Sequence, residues 1–148
     1  MLVTTTEGYA LKALIYIAQK EDKRATIKEI SEANRISFPY ILRICAKLRA
    51  SGILESVRGR KGGYVLKKDP GNISLYDIIQ AVGRSTVEIR CEYGKRKDLS
   101  CYQANCISEI AWALVKLKTD ELYKNIKLKD LIPNRKEIKN AVNKHTGY

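Results

Sequence analysis

Three cysteines fall within one sixteen-residue run, Cys91-Glu-Tyr-Gly-Lys-Arg-Lys-Asp-Leu-Ser-Cys101-Tyr-Gln-Ala-Asn-Cys106, with nine residues between the first pair and four between the second. Three thiolates this close supply most of a metal site. Their spacing is not that of a zinc ribbon or finger, which joins two tight Cys pairs or a Cys pair with a His pair. The one histidine, His145, stands near the C-terminal end and reads as solvated. A thiolate-rich set with an open fourth position suits iron–sulfur chemistry, where the last ligand is weak or exchangeable. Arg90, Lys95, Arg96 and Lys97 flank the run, and their charge would lower thiol pKa values and balance an anionic cluster. Three reduced thiols that hold nothing fit the same spacing.

A second feature is charge. The chain has 148 residues and a formal net charge of +12, which favours a polyanionic partner or an acidic membrane surface. From Ala33 to Lys68 nine Lys or Arg face a single acid, Glu55, a local balance of +8. With 45% apolar and 30% charged residues this is a globular composition with room for one compact domain and an arm. The apolar stretch Ala10 to Ala18 is interrupted by Lys12 and too short to span a bilayer. The expectation is a cytoplasmic protein, where cysteines stay reduced and a metal or redox role outranks a structural disulfide.

The elements that must position these groups are legible from periodicity and caps. Thr6 opens a first helix in which Ala10, Leu11, Leu14, Ile17 and Ala18 recur at helical spacing. Thr26-Ile-Lys-Glu29 is a capping box opening a short helix that ends near Ala33. Ser37 is expected to cap a third helix running to about Ala50, with Pro39 in its first turn and Gly52 as its left-handed stop. Ile53 to Val57 and Gly63 to Lys67 flank Arg58-Gly-Arg-Lys-Gly62, a β-hairpin with a basic tip whose glycines would let the backbone approach a sugar-phosphate wall. Ser74-Leu-Tyr-Asp77 caps a further helix ending near Gly83. After the cysteines a long helix reaches about Lys124, with a seam of Ile107, Ile110, Leu114 and Leu117 that needs a partner helix from its own chain or a twin.

The fold class is therefore mainly α with a small β-hairpin: a winged helix-turn-helix domain plus a long dimerisation helix. Residues 1–83 form the DNA-binding domain, 84–106 the cysteine loop, 107–133 the dimerisation helix and closing segment, and 134–148 a basic tail. On the third helix Ile41, Ile44, Cys45 and Leu48 share the buried face, while Tyr40, Arg43 and Lys47 share another. Arg58, Arg60 and Lys61 extend the basic surface onto the hairpin. No nucleophile–base constellation or phosphate-binding glycine loop supports an enzyme.

Five stretches, Tyr9 to Leu14, Ile36 to Ile41, Ala46 to Gly52, Ser56 to Tyr64 and Ile73 to Ile79, resemble the Rrf-two family of bacterial transcriptional regulators. Gly-Gly-Tyr64 after a basic wing, in register with Ala46-Lys-Leu-Arg, is the most specific of these matches. The resemblance implies a homodimer joined through the long helix, a palindromic double-stranded DNA operator, and a 2Fe-2S or 4Fe-4S cluster in many members. By position Cys91, Cys101 and Cys106 would be the ligands, and Ser37, Tyr40, Arg43, Arg58 and Arg60 would lie at the DNA. Glu7 and Glu109 are the candidates for a fourth ligand, since Glu109 stands where some members carry histidine. Leu42 stands where several members carry Glu or Gln. The leading expectation is a repressor whose operator affinity follows its cluster. The alternative is a cluster-free regulator controlled by thiol oxidation or by a protein partner.

Overall fold

The computed structural model describes residues 5–59, 62–83, 86 and 107–132. Helix α1 (Thr5–Gln19) buries Ala10, Ala13, Leu14 and Ile17, the 3.6-residue stripe expected of it. A left-handed Lys23 turns the chain into a two-residue strand, β1 (Arg24–Ala25). Helix α2 (Ile27–Asn34) starts from the expected capping box: Glu29 N–H donates to Thr26 Oγ1 at 3.2 Å, and Thr26 N–H donates to Glu29 Oε2 at 2.7 Å. Arg35, with φ of 54°, closes α2 in the left-handed conformation and leads to α3 (Phe38–Ala50).

Strands β2 (Leu54–Val57) and β3 (Gly63–Leu66) form the wing, pairing antiparallel with Leu54 opposite Leu66 and Val57 opposite Gly63. The sheet has three strands in the order β1-β3-β2, so the expected hairpin gains an outer strand. Gly63 explains how β1 fits: a Cβ there would lie 2.7 Å from Ala25 O, at a φ of +148° that side chains rarely adopt. A Cβ on Gly62 would likewise meet the carbonyls of Val57 and Gly59 at 2.8 Å. These two glycines are required by their own sheet, a stronger reason for them than approach to a phosphate backbone.

A 3-10 turn at Pro70–Asn72, capped by Asp69, leads to α4 (Leu75–Ala81), which opens on the second expected capping box, Ser74 with Asp77. Helix α5 (Ile107–Asn125) is followed by the short α6 (Leu128–Leu131). The closing segment returns to the winged domain. Leu128 N–H donates to Ile73 O at 2.8 Å and Leu75 N–H to Ile126 O at 2.9 Å. Leu128 is fully buried in the same core as Leu14, Ile30, Ile41, Ile44 and Leu48. Among the described residues no helix is long and apolar enough to cross a membrane.

Candidate nucleic-acid interface

Helix α3 is divided as its sequence requires. Ile41, Ile44, Cys45 and Leu48 are at most 1% exposed, whereas Phe38, Pro39, Leu42, Arg43, Ala46, Lys47 and Arg49 are on the outside. Ser37 occupies the N-cap position but its hydroxyl makes no cap bond. Pro39 removes one of the two amides a cap would serve, and the other, Tyr40 N–H, donates to the Ser37 carbonyl at 3.1 Å. The exposed Ser37 side chain therefore has no part in starting the helix.

Arg43 is held by a stack of neighbours. Its guanidinium lies 5.1 Å from the centre of the Tyr40 ring. Tyr40 packs edge-on against Tyr9 at 5.5 Å, and its hydroxyl is hydrogen-bonded to Thr6 Oγ1 at 2.7 Å. Tyr40 is thus a half-buried joint between α1 and α3 that gives Arg43 a platform. Lys47 leans the other way and donates from Nζ to Val82 O at 2.9 Å, bracing α3 against the C-terminal end of α4. Arg49, which the periodicity did not single out, reaches Ser56 Oγ at 3.4 Å and ties α3 to the wing. Arg58 is exposed where β2 ends. The structure therefore brings Ser37, Tyr40, Arg43 and Lys47 onto one helix, with Arg58 on the adjoining wing. Arg60, Lys61, Cys91, Cys101 and Cys106 lie outside the described residues, as does the Glu109 side chain.

Cys45 packs as a small hydrophobe. It is fully buried, and burial pushes its thiol up to about 12, so it stays protonated and unsuited to a metal. Among the described residues no group of three or more His, Cys, Asp and Glu is placed to hold a metal ion. The donor set that fits an iron–sulfur group is the three-thiol run itself, by its chemistry alone. Glu7 sits in the first turn of α1, where its charge, after burial, helps to raise the Tyr123 phenol on α5.

One polar node joins Thr86, five residues before Cys91 in the sequence, to α5. Asp120 on α5, only 8% exposed, accepts from Thr86 Oγ1 and, at 2.5 Å, from Lys116 Nζ. Burial pushes its carboxyl up, but these hydrogen bonds and the charges of Lys116 and Lys124 hold it below the usual range. Another face of α5 is apolar and open: Ile110, Leu114 and Leu117 are 63%, 58% and 66% exposed.

The matching family model is the Rrf2 (Rrf-two) family, described as an iron-dependent transcriptional regulator, and it spans residues 3–134. The chain belongs to the Rrf2 family. It is 31% identical over 148 residues to the HTH-type transcriptional regulator IscR of Citrobacter koseri, covering 99% of this chain and 88% of that protein. Its structure resembles CymR, the global cysteine regulator of B. subtilis, at a TM-score of 0.70 with 25% identity over 89% of this chain and 96% of CymR. It also resembles T. potens IscR at a TM-score of 0.68 with 27% identity, covering 95% and 88% of the two chains. These relatives are transcriptional regulators of a non-enzymatic family with the same winged-helix fold. The Rrf2 match spans α1 through α6, so α3, the wing and the long helix all fall inside the family's own boundaries.

Proposed function

We propose that this Rrf2 regulator is a cytoplasmic homodimeric repressor that binds a palindromic DNA operator and whose affinity follows an iron–sulfur cluster on Cys91, Cys101 and Cys106. The observation that carries the DNA reading is α3 itself, anchored by four buried side chains and presenting Arg43 outward on a tyrosine platform. In this reading α3 enters the major groove, Ser37 and Arg43 meet DNA from it, and Arg58, Arg60 and Lys61 follow the backbone from the wing. Tyr40 and Lys47 serve the same surface by fixing where α3 points. Electrostatic contacts supply most of the affinity.

Dimerisation uses the open face of α5. Two such helices would bury Ile110, Leu114 and Leu117 against each other. A 2Fe-2S or 4Fe-4S cluster would add a redox-sensitive, exchangeable centre to the segment between α4 and α5, with the fourth ligand left to Glu7, Glu109 or a group of another kind. The Thr86–Asp120 bond joins the start of that segment to α5, and the Leu128 and Ile126 backbone bonds join the far end of α5 to the winged domain. Events at the cysteines would then change the spacing of two reading heads.

The test is anaerobic purification, with visible absorption, iron and sulfide measured for the wild type and for Cys101→Ala. Brown protein that loses its bands in Cys101→Ala is the expected result. Colourless protein without iron after reconstitution rejects the cluster and leaves the DNA-binding dimer. Similarity to a protein described as a cysteine regulator favours, in that event, a cluster-free switch worked by thiol oxidation or by a protein partner.

A further inference from the structure

The outward face of α3 is apolar where base-reading helices often carry amides or acids. Phe38 and Leu42, one turn apart, are 49% and 44% exposed, and exposed Pro39 and Ala46 continue the strip. None of these belongs to the core cluster. The helix contains no Asp, Glu, Asn or Gln. Of its exposed cations, Lys47 donates to Val82 O and Arg49 reaches Ser56, so Arg43 is the one whose described contact is a ring face alone.

This inventory restricts what the helix can read. A cytosine amino group calls for an acceptor and adenine for a bidentate amide; Phe38–Ala50 has no acidic or amide side chain for either, and the hydroxyl of Ser37 at the N-cap does not select between bases. Guanine suits an arginine. The one apolar group that a base presents in the major groove is the 5-methyl of thymine. Leu42 is the fifth residue of α3, in the half of a recognition helix that meets base edges. It is the sequence neighbour of Arg43, about 100° around the helix, and both are exposed on the outer side of α3. The nine cations between Ala33 and Lys68 make a polyanion the fitting occupant of this strip.

We infer that Leu42, backed by Phe38, is a specificity-determining residue that packs on a thymine 5-methyl group beside the base met by Arg43. The inference rests on the DNA-binding reading above and adds the chemistry of one base position to it.

The probe is an operator selected from random duplexes by the full-length protein, in which each thymidine is then replaced by deoxyuridine. That change removes one methyl group and nothing else. Affinity at fixed salt should fall about four-fold at one position per half-site, the transfer value of a single methyl. Leu42→Ala should bind the thymidine and deoxyuridine duplexes equally there, whereas Arg43→Ala should keep the preference. Tight binding with no deoxyuridine penalty overturns the inference, as does an undiminished penalty in Leu42→Ala. A Leu42→Ala protein with altered self-association and unchanged base preference overturns it too, by assigning the strip to protein contacts. Failure to enrich any duplex refutes the DNA-binding reading itself, a separate result.

Discussion

Replacing Arg43 with alanine separates reading from folding, because the described contact of its guanidinium is the Tyr40 ring, 5.1 Å away, on an exposed face. An exposed cation–π contact is worth about 0.5–1 kcal/mol, and alanine's better helix propensity returns part of that. The Tyr40–Thr6 hydrogen bond and the Tyr9 packing stay in place, so α1 and α3 remain docked. Loss of a bidentate contact to guanine costs about 1–3 kcal/mol, or about 5- to 150-fold in affinity. Urea unfolding should therefore find Arg43→Ala within about 1 kcal/mol of wild type. Fluorescence anisotropy at fixed salt should find operator affinity down by at least about 5-fold, with little change on a scrambled duplex. Equal losses on both duplexes would make Arg43 a phosphate contact. An operator affinity changed less than two-fold would refute the placement of α3 in the groove.

Lys61→Ala should weaken binding to all sequences alike and make the dependence of log affinity on log salt shallower by about one unit. Lys47→Met should leave that slope nearly unchanged, because Val82 O holds the ammonium, and should cost about 0.5–1 kcal/mol of stability in urea unfolding. Glu29 is held below the ordinary glutamate pKa by the Thr26 N–H, the Thr26 hydroxyl and Lys20. That contribution is present above the unfolded-state pKa and disappears as pH falls through the lower folded value. The stability gap between wild type and Glu29→Gln should accordingly close on acidification; a gap that stays constant from neutral to acidic pH would remove Glu29's charge from the capping box. Cys45, buried and with its thiol pushed up to about 12, should resist alkylation in the native protein at pH 8 and react once unfolded. Mass spectrometry finding Cys45 modified in native protein would contradict its place in the core.

What the sequence made legible was local. Both capping boxes follow from a hydroxyl three residues before a carboxylate, and the buried stripe of α3 from spacing alone. Strand β1 escaped because two residues carry no period, and its pairing is written instead in Gly63, which has no side chain to show for it. The Ser37 cap failed for a reason also present in the sequence: Pro39 has no N–H to give. A helical wheel placed Lys47 and Tyr40 on the outer face of α3 but cannot see Val82 O or Thr6 arriving from elsewhere in the chain to hold them. The outward strip of Phe38 and Leu42 is visible on the same wheel, but exposure of large apolar groups gains meaning only once the core is known to be complete without them.

The return of the chain after α5 bears most on regulation. Had the segment after α5 hung free, a change near the cysteines could be absorbed by α5 swinging away from the winged domain. Instead Leu128 is buried with Leu14 and Ile41, and the bridge between Ser74 and Lys127 fixes the end of α5 at the first residue of the α4 capping box. Helix α4 in turn meets α3 through the Lys47 brace. A helix of 19 residues, about 28 Å long, is then rooted in the winged domain. Rotating it about its root would separate Leu75 from Ile126 and Leu128 from Ile73, breaking two backbone hydrogen bonds inside a packed core. The Thr86–Asp120 bond, five residues before the end of α5, holds the same root. Residues 110–115, in the half of α5 that follows Cys106, are all exposed among the described residues, so that half is the less tightly held and the root beside α4 is the stiff one. That polarity is what a switch needs if a local event at the thiols is to change the distance between two recognition helices and leave each of them folded.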